Sequence, residues 1–138
     1  MLFFHILLSW YDYSCRFYYY ILNNKYDLRG DFELADRYFK ACLDSHDQDE
    51  FMLNAGRLMH LMAHIMPVKR GNASIMEWTI RALAKEKDIE LGPFSFDDKI
   101  AWDMKALVTP NREAYAIWFK DRAYQFVKSQ FPSQGSRP

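Results

Sequence analysis

Cysteine is scarce in this sequence. Two occur among 138 residues, Cys15 and Cys42, and they do not form a Cys-x-x-Cys pair. That excludes a zinc ribbon and a thioredoxin-type redox centre. Two buried free thiols in a reducing compartment is the reading, with a Cys15–Cys42 disulfide as the alternative. Glycine and proline are also sparse, five of each, so a collagen-like or low-complexity chain is excluded. An excess of charge of either sign is missing. Eighteen Lys and Arg balance eighteen Asp and Glu, with pI ≈ 6.9. Without a basic field the chain does not read as a nucleic-acid binder. No Gly-x-Ser-x-Gly elbow, Walker loop or Gly-x-Gly-x-x-Gly turn occurs.

A long hydrophobic run is missing too. Residues 2–11 are apolar, but Asp12 and Arg16 interrupt them before the ~20 residues a membrane span needs. No cation precedes them and no small-x-small cleavage site follows. A buried first helix in a cytoplasmic protein is the main expectation. A secreted effector, or membrane association through residues 2–11, is the alternative.

Aromatic side chains, by contrast, are abundant at 17%, within a chain that is 50% hydrophobic and 26% charged. This suits one soluble globular domain, placed at residues 1–131, with 132–138 as a disordered tail. Helical spacing of apolar residues predicts an all-α bundle of six helices near 2–22, 31–44, 50–65, 72–87, 97–107 and 110–126. Pro67 ends the third, because the residue before proline is pushed out of the α region. Ser95 or Asp97 is the expected cap of the fifth, and Thr109-Pro110 the expected start of the last. No strand pattern is visible. The helix over 72–87 is expected to be the most buried, with Ile75, Trp78, Leu83 and Trp118 in the core.

Two features carry candidate chemistry. His60 and His64 share one helix face, the spacing of two zinc ligands, with Glu77 or Asp103 as the nearest third. Leu61 stands where a zinc protease needs its glutamate, so two half-buried polar residues is the preferred reading and no metal or cofactor is expected. The second feature is Pro67-Val-Lys-Arg-Gly-Asn-Ala-Ser74, between two helices. Gly71 permits tight backbone geometry, Asn72 can cap the next helix, and a helix N-terminus attracts anions. Lys69, Arg70, Gly71, Asn72, Ala73 and Ser74 are therefore the candidate anion- or nucleotide-binding residues.

This turn resembles the loop of Fic proteins, of the Fido fold, which has the form His-Pro-Phe-x-(Asp/Glu)-Gly-Asn-Gly-Arg between two helices. Pro67, Gly71 and Asn72 fall on that pattern, and Arg81-Ala-Leu-Ala84 with Ile89-Glu-Leu91 follow where the family has similar residues. The resemblance spans about 51–131. It implies that Met66 replaces the histidine that takes the target's proton, that Arg70 replaces the acidic Mg²⁺ ligand, and that Ser74 replaces the phosphate-binding arginine. No catalytic residue is assigned. The expected function is a catalytically degenerate Fic-like domain that binds a protein, a nucleotide or another anion. The alternatives are an unrelated helical interaction module of an effector or toxin system, or an atypical nucleotidyl or phosphoryl transferase.

Overall fold

The computed structural model describes residues 28–66, 71–95 and 99–129. Five helices occur among them: α1 (Leu28–Asp44), α2 (Gln48–Ile65), α3 (Asn72–Glu86), α4 (Trp102–Val108) and α5 (Arg112–Arg122). Two short strands, β1 (Ile89–Leu91) and β2 (Val127–Ser129), complete the order. The all-α expectation holds. The expected helix over 2–22, the tail at 132–138 and Cys15 lie outside the described residues.

α1 and α2 form a hairpin because the link between them is only three residues long, which forces antiparallel neighbours. Local chemistry fixes the link. Ser45 Oγ donates to Ala41 O at 2.6 Å, and Asn54 Nδ2 reaches the same carbonyl at 3.4 Å. Asp47 caps α2 by accepting the Glu50 N–H at 2.8 Å, and the Glu50 carboxylate accepts the His46 N–H at 2.8 Å. Two otherwise orphaned amides are thereby satisfied.

α2 is the axis of the molecule and touches each of the other four helices. Twelve of its residues are buried, against six on α3, so α2 and not α3 is the most buried helix. Phe51, Met52, Met59 and Met62 fill its surroundings together with Tyr115 and Phe119 of α5. The closest approach is at Gly56. A Cβ there would stand 2.8 Å from the Ala116 Cα and 3.0 Å from the Phe119 Cβ. Only glycine lets α5 lie this close.

α3 lies at the edge of the bundle. Met76, Thr79, Ile80, Leu83 and Ala84 face inward. Trp78 does not: it is 69% exposed, contrary to the core position its spacing predicts. The apolar arc of α3 is wider than the single face the bundle covers, and Trp78 lies on the excess. Ile75 and Trp118 are half-buried, and Leu83 is buried as expected.

Two helix starts also differ from expectation. α4 begins after Ala101, and Ser95 is instead buried with its N–H bonded to Ala123 O at 2.8 Å. α5 begins after Asn111, whose Oδ1 accepts the Ala114 N–H at 2.9 Å. Thr109 ends α4 rather than capping α5.

The strands pair antiparallel, Ile89 with Ser129, Glu90 with Lys128 and Leu91 with Val127. Arg81 of α3 braces the end of β1. Its Nη1 donates to Leu91 O and its Nη2 to Gly92 O, both at 3.1 Å, while Glu77 holds the guanidinium from the same helix. Such a fork satisfies several acceptors at once, which a lysine could not do.

Candidate functional site

The expected site is the turn from α2 to α3. Met66 closes α2 in the left-handed region at φ 45, its N–H bonded to Met62 O, and its side chain is 53% exposed. Lys69 and Arg70 lie outside the described residues. Gly71, at φ 79, stands at the N-cap of α3. A side chain there would be strained by the backbone alone. Gly71 has no side chain with which to cap α3.

Asn72 does something other than expected. It is buried, and its Nδ2 donates to Met62 O at 3.2 Å. It therefore ties the start of α3 back onto the last turn of α2 instead of capping α3, and its side chain is not presented to a ligand. Ala73 is half-buried and Ser74 is exposed. The structure thus keeps Gly71, Ala73 and Ser74 at one accessible helix start and assigns Asn72 to the framework.

His60 and His64 stack with ring centroids 4.4 Å apart, but their nitrogens are engaged in different tasks. The His60 Nε2–H donates to Thr109 O at 2.8 Å. This long-range bond takes up the Thr109 carbonyl where α4 ends. The remaining lone pair, on Nδ1, is buried without a hydrogen-bond partner among the described residues. The His64 Nδ1–H donates to His60 O at 2.8 Å, so only its Nε2 faces outward. Burial holds the His60 pKa below that of an ordinary histidine, the Thr109 carbonyl opposes this, and the neighbours His64 and Arg112 add to it.

Neither proposed third ligand joins the pair. Glu77 is paired with Arg81, and Asp103 Oδ1 accepts the Met104 N–H. Among the described residues no three His, Cys, Asp or Glu groups stand together as a metal site. Cys42 is a fully buried free thiol, pushed up to about 12 by burial. Such a thiol is not a nucleophile near neutral pH.

The accessible feature missed by the sequence reading is the outer face of α3. Ser74, Trp78, Ala82 and Lys85 are all exposed and lie along one line. The polar residues four before and seven after Trp78 were the available signal, since they mark the solvent side of the helix. Beyond Lys85 this line reaches a groove of about 390 Å³, lined by Arg81, Lys85, Asp88, Ile89, Glu90 and Leu91. None of the described helices is long and apolar enough to cross a membrane.

Comparison with known proteins bears on these assignments. The family model described as AvrB_AvrC, avirulence protein, matches residues 32–120. The match runs from the first turns of α1 to the last turn of α5. It overturns the Fic-like assignment, which rested on Pro67, Gly71 and Asn72: the family found is the avirulence one. No curated protein and no solved structure matches the chain.

Proposed function

The chain belongs to the AvrB_AvrC avirulence protein family, and from that premise we propose that it is an effector whose bundle binds a host protein through the outer face of α3. The observation that carries this reading is Trp78. Trp78 is the largest and the most exposed of the exposed apolar side chains among the described residues, 69% open on α3. Tryptophan and arginine are also the residues that most often anchor interfaces.

The surroundings of Trp78 suit a peptide-like partner with acidic residues. On one side stands the start of α3 at Gly71, preceded in the chain by Lys69 and Arg70. Partial positive charge from the helix and two cations would meet carboxylates there. On the other side Lys85 leads into the groove beside β1, where Asp88 and Glu90 would orient a basic group of the same segment. Gly71, Ala73 and Ser74 keep their expected role as anion contacts in this reading, with the anion a side chain of the partner.

The test is co-purification from host cells that produce the full chain. A host protein recovered with the wild type should be lost with Trp78→Ala. A Lys69→Ala, Arg70→Ala double variant should weaken its recovery in a salt-dependent way. A central tryptophan anchor is worth about 2 kcal/mol or more, so the dissociation constant should rise at least ~30-fold. Equal recovery with Trp78→Ala and with the double variant would refute the assignment of this face.

A further inference from the structure

Thr109 is followed by a proline, and no other serine or threonine of the 138 residues is. The pair lies in the short link between α4 and α5. That link is extended. Thr109 stands at φ −114, ψ 91 and Asn111 at φ −84, ψ 113, and the ring of Pro110 fixes its own φ near −65. Pro110 and Asn111 are exposed and Thr109 is half-buried. The Thr109 backbone is anchored on both sides, its carbonyl by His60 Nε2 at 2.8 Å and its N–H by Ala106 O at 3.2 Å. Its hydroxyl makes no hydrogen bond among the described residues.

The other hydroxyls whose surroundings are described differ. Ser45 and Thr79 are buried and donate to carbonyls one helical turn earlier, at 2.6 Å and 2.8 Å. Ser95 is buried. Ser74 is exposed, but its backbone belongs to the first turn of α3. A protein kinase takes its substrate as an extended segment around the acceptor hydroxyl, and of these residues Thr109 alone has that backbone. Pro110 beside it has no N–H, so it suits a kinase pocket that offers the following residue no acceptor.

We propose that Thr109 is a phosphorylation site for a proline-directed serine/threonine kinase, and that Arg112 receives the phosphate. In the transfer the Thr109 Oγ1 attacks the γ-phosphorus of ATP. The bond from Oγ1 to phosphorus forms, and the bond from that phosphorus to the β,γ-bridging oxygen breaks. ADP leaves with the electron pair, and the hydroxyl proton passes to a carboxylate of the kinase. The product carries a charge of about −1.5 to −2 and three strong acceptors.

Arg112 follows three residues later, in the first turn of α5. Its Nη1 donates to Tyr38 Oη at 3.1 Å, while its Nε is buried without a hydrogen-bond partner. A guanidinium with a donor to spare is the side chain best shaped for a phosphate. The positive end of α5 adds to the attraction. The neighbouring carboxylate, Glu113, is already neutralised by Arg57 at 2.7 Å. The proposal does not depend on the α3 face.

The test treats the full chain with a recombinant proline-directed kinase, Mg²⁺ and labelled ATP, and maps the label by mass spectrometry. The expected product has its phosphate on Thr109. Thr109→Val should lose the label, and Pro110→Ala should slow it at least about tenfold. No label, a label on another residue, or an equal rate in Pro110→Ala would overturn the site. Should either variant fail to fold, the position mapped on the wild type decides. Phosphorus NMR of the labelled protein then reads the role of Arg112. The second phosphate pKa should lie about one unit below the ordinary ~6, because an adjacent cation favours the dianion. It should return toward 6 in Arg112→Gln. An ordinary value in the wild type, or a lowered one that survives Arg112→Gln, would overturn Arg112 as the receiver.

Discussion

Replacing Gly56 with alanine sets two opposed effects against each other, and the structure fixes which wins. Gly56 is in the middle of α2, where glycine is a poor helix former. On helix propensity alone, Gly56→Ala should stabilise the protein by about 0.8–1 kcal/mol. The new methyl, however, would stand 2.8 Å from the Ala116 Cα, 3.2 Å from the Ala116 carbonyl oxygen and 3.0 Å from the Phe119 Cβ. Two of these three atoms belong to the α5 backbone, so no rotamer change relieves the clash. α5 must move away from α2, and Phe119 and Tyr115, both fully buried, must move with it. Overpacking of this kind costs about 1–3 kcal/mol, and loosening two buried aromatics places it at the upper end. The net expectation is a loss of about 1–2 kcal/mol, or roughly 3–8 °C in melting temperature for a domain of this size. Urea denaturation followed by circular dichroism measures it. An unchanged or raised midpoint would show that α2 and α5 are not packed backbone to backbone at Gly56.

Two further perturbations follow from named contacts. Asp47→Ala removes the acceptor for the Glu50 N–H and should lower stability by about 1 kcal/mol, with Asp47→Asn retaining most of it in the same urea titration. His60 is disfavoured in its charged form by burial and by its neighbours His64 and Arg112, so the unfolded chain binds its proton more readily than the folded one. Stability from this residue is complete above the ordinary histidine pKa of about 6.5 and is lost as pH falls below it toward the lowered folded value. Denaturation midpoints between pH 5 and 8 should therefore fall on the acid side. His60→Gln, which can still donate to Thr109 O, should flatten that part of the profile, and an equal slope in wild type and variant would refute the role of His60.

Much of the helical frame was legible in the sequence because its signals are local. Pro67 ends α2 close to the expected place, Asp49 and Glu50 fall in its first turn, and the periodic apolar residues of α1 and α3 mark those helices within a few residues. What could not be read depends on contacts distant in sequence. Thr109-Pro110 looks like a helix start, but the Thr109 carbonyl is taken by His60, 49 residues earlier, and Asn111 becomes the cap. β1 and β2 have three residues each, too few for a period, and lie more than thirty residues apart. α2 and α3 have similar apolar content, yet α2 is the better buried helix because it touches all four other helices. The same geometry explains Trp78, which the pattern placed inside and the edge position of α3 places outside. At the turn, Asn72 has the side chain of a cap, but the nearby Met62 carbonyl takes its donor. The Gly-Asn pair that suggested a Fic loop thus has a structural use of its own, and the family match replaces that suggestion.

The central claim, that a host protein docks on the outer face of α3, is tested most directly by placing a photo-crosslinking amino acid at position 78 in the full chain and irradiating host cells that produce it. Position 117, where Ile117 of α5 is 54% exposed, supplies a comparison of similar accessibility away from α3. The expected result is one host protein crosslinked from position 78 and not from position 117, with the yield falling when Lys69 and Arg70 are both changed to alanine. Equal crosslinking from the two positions, or a host protein captured from position 117 alone, would contradict it.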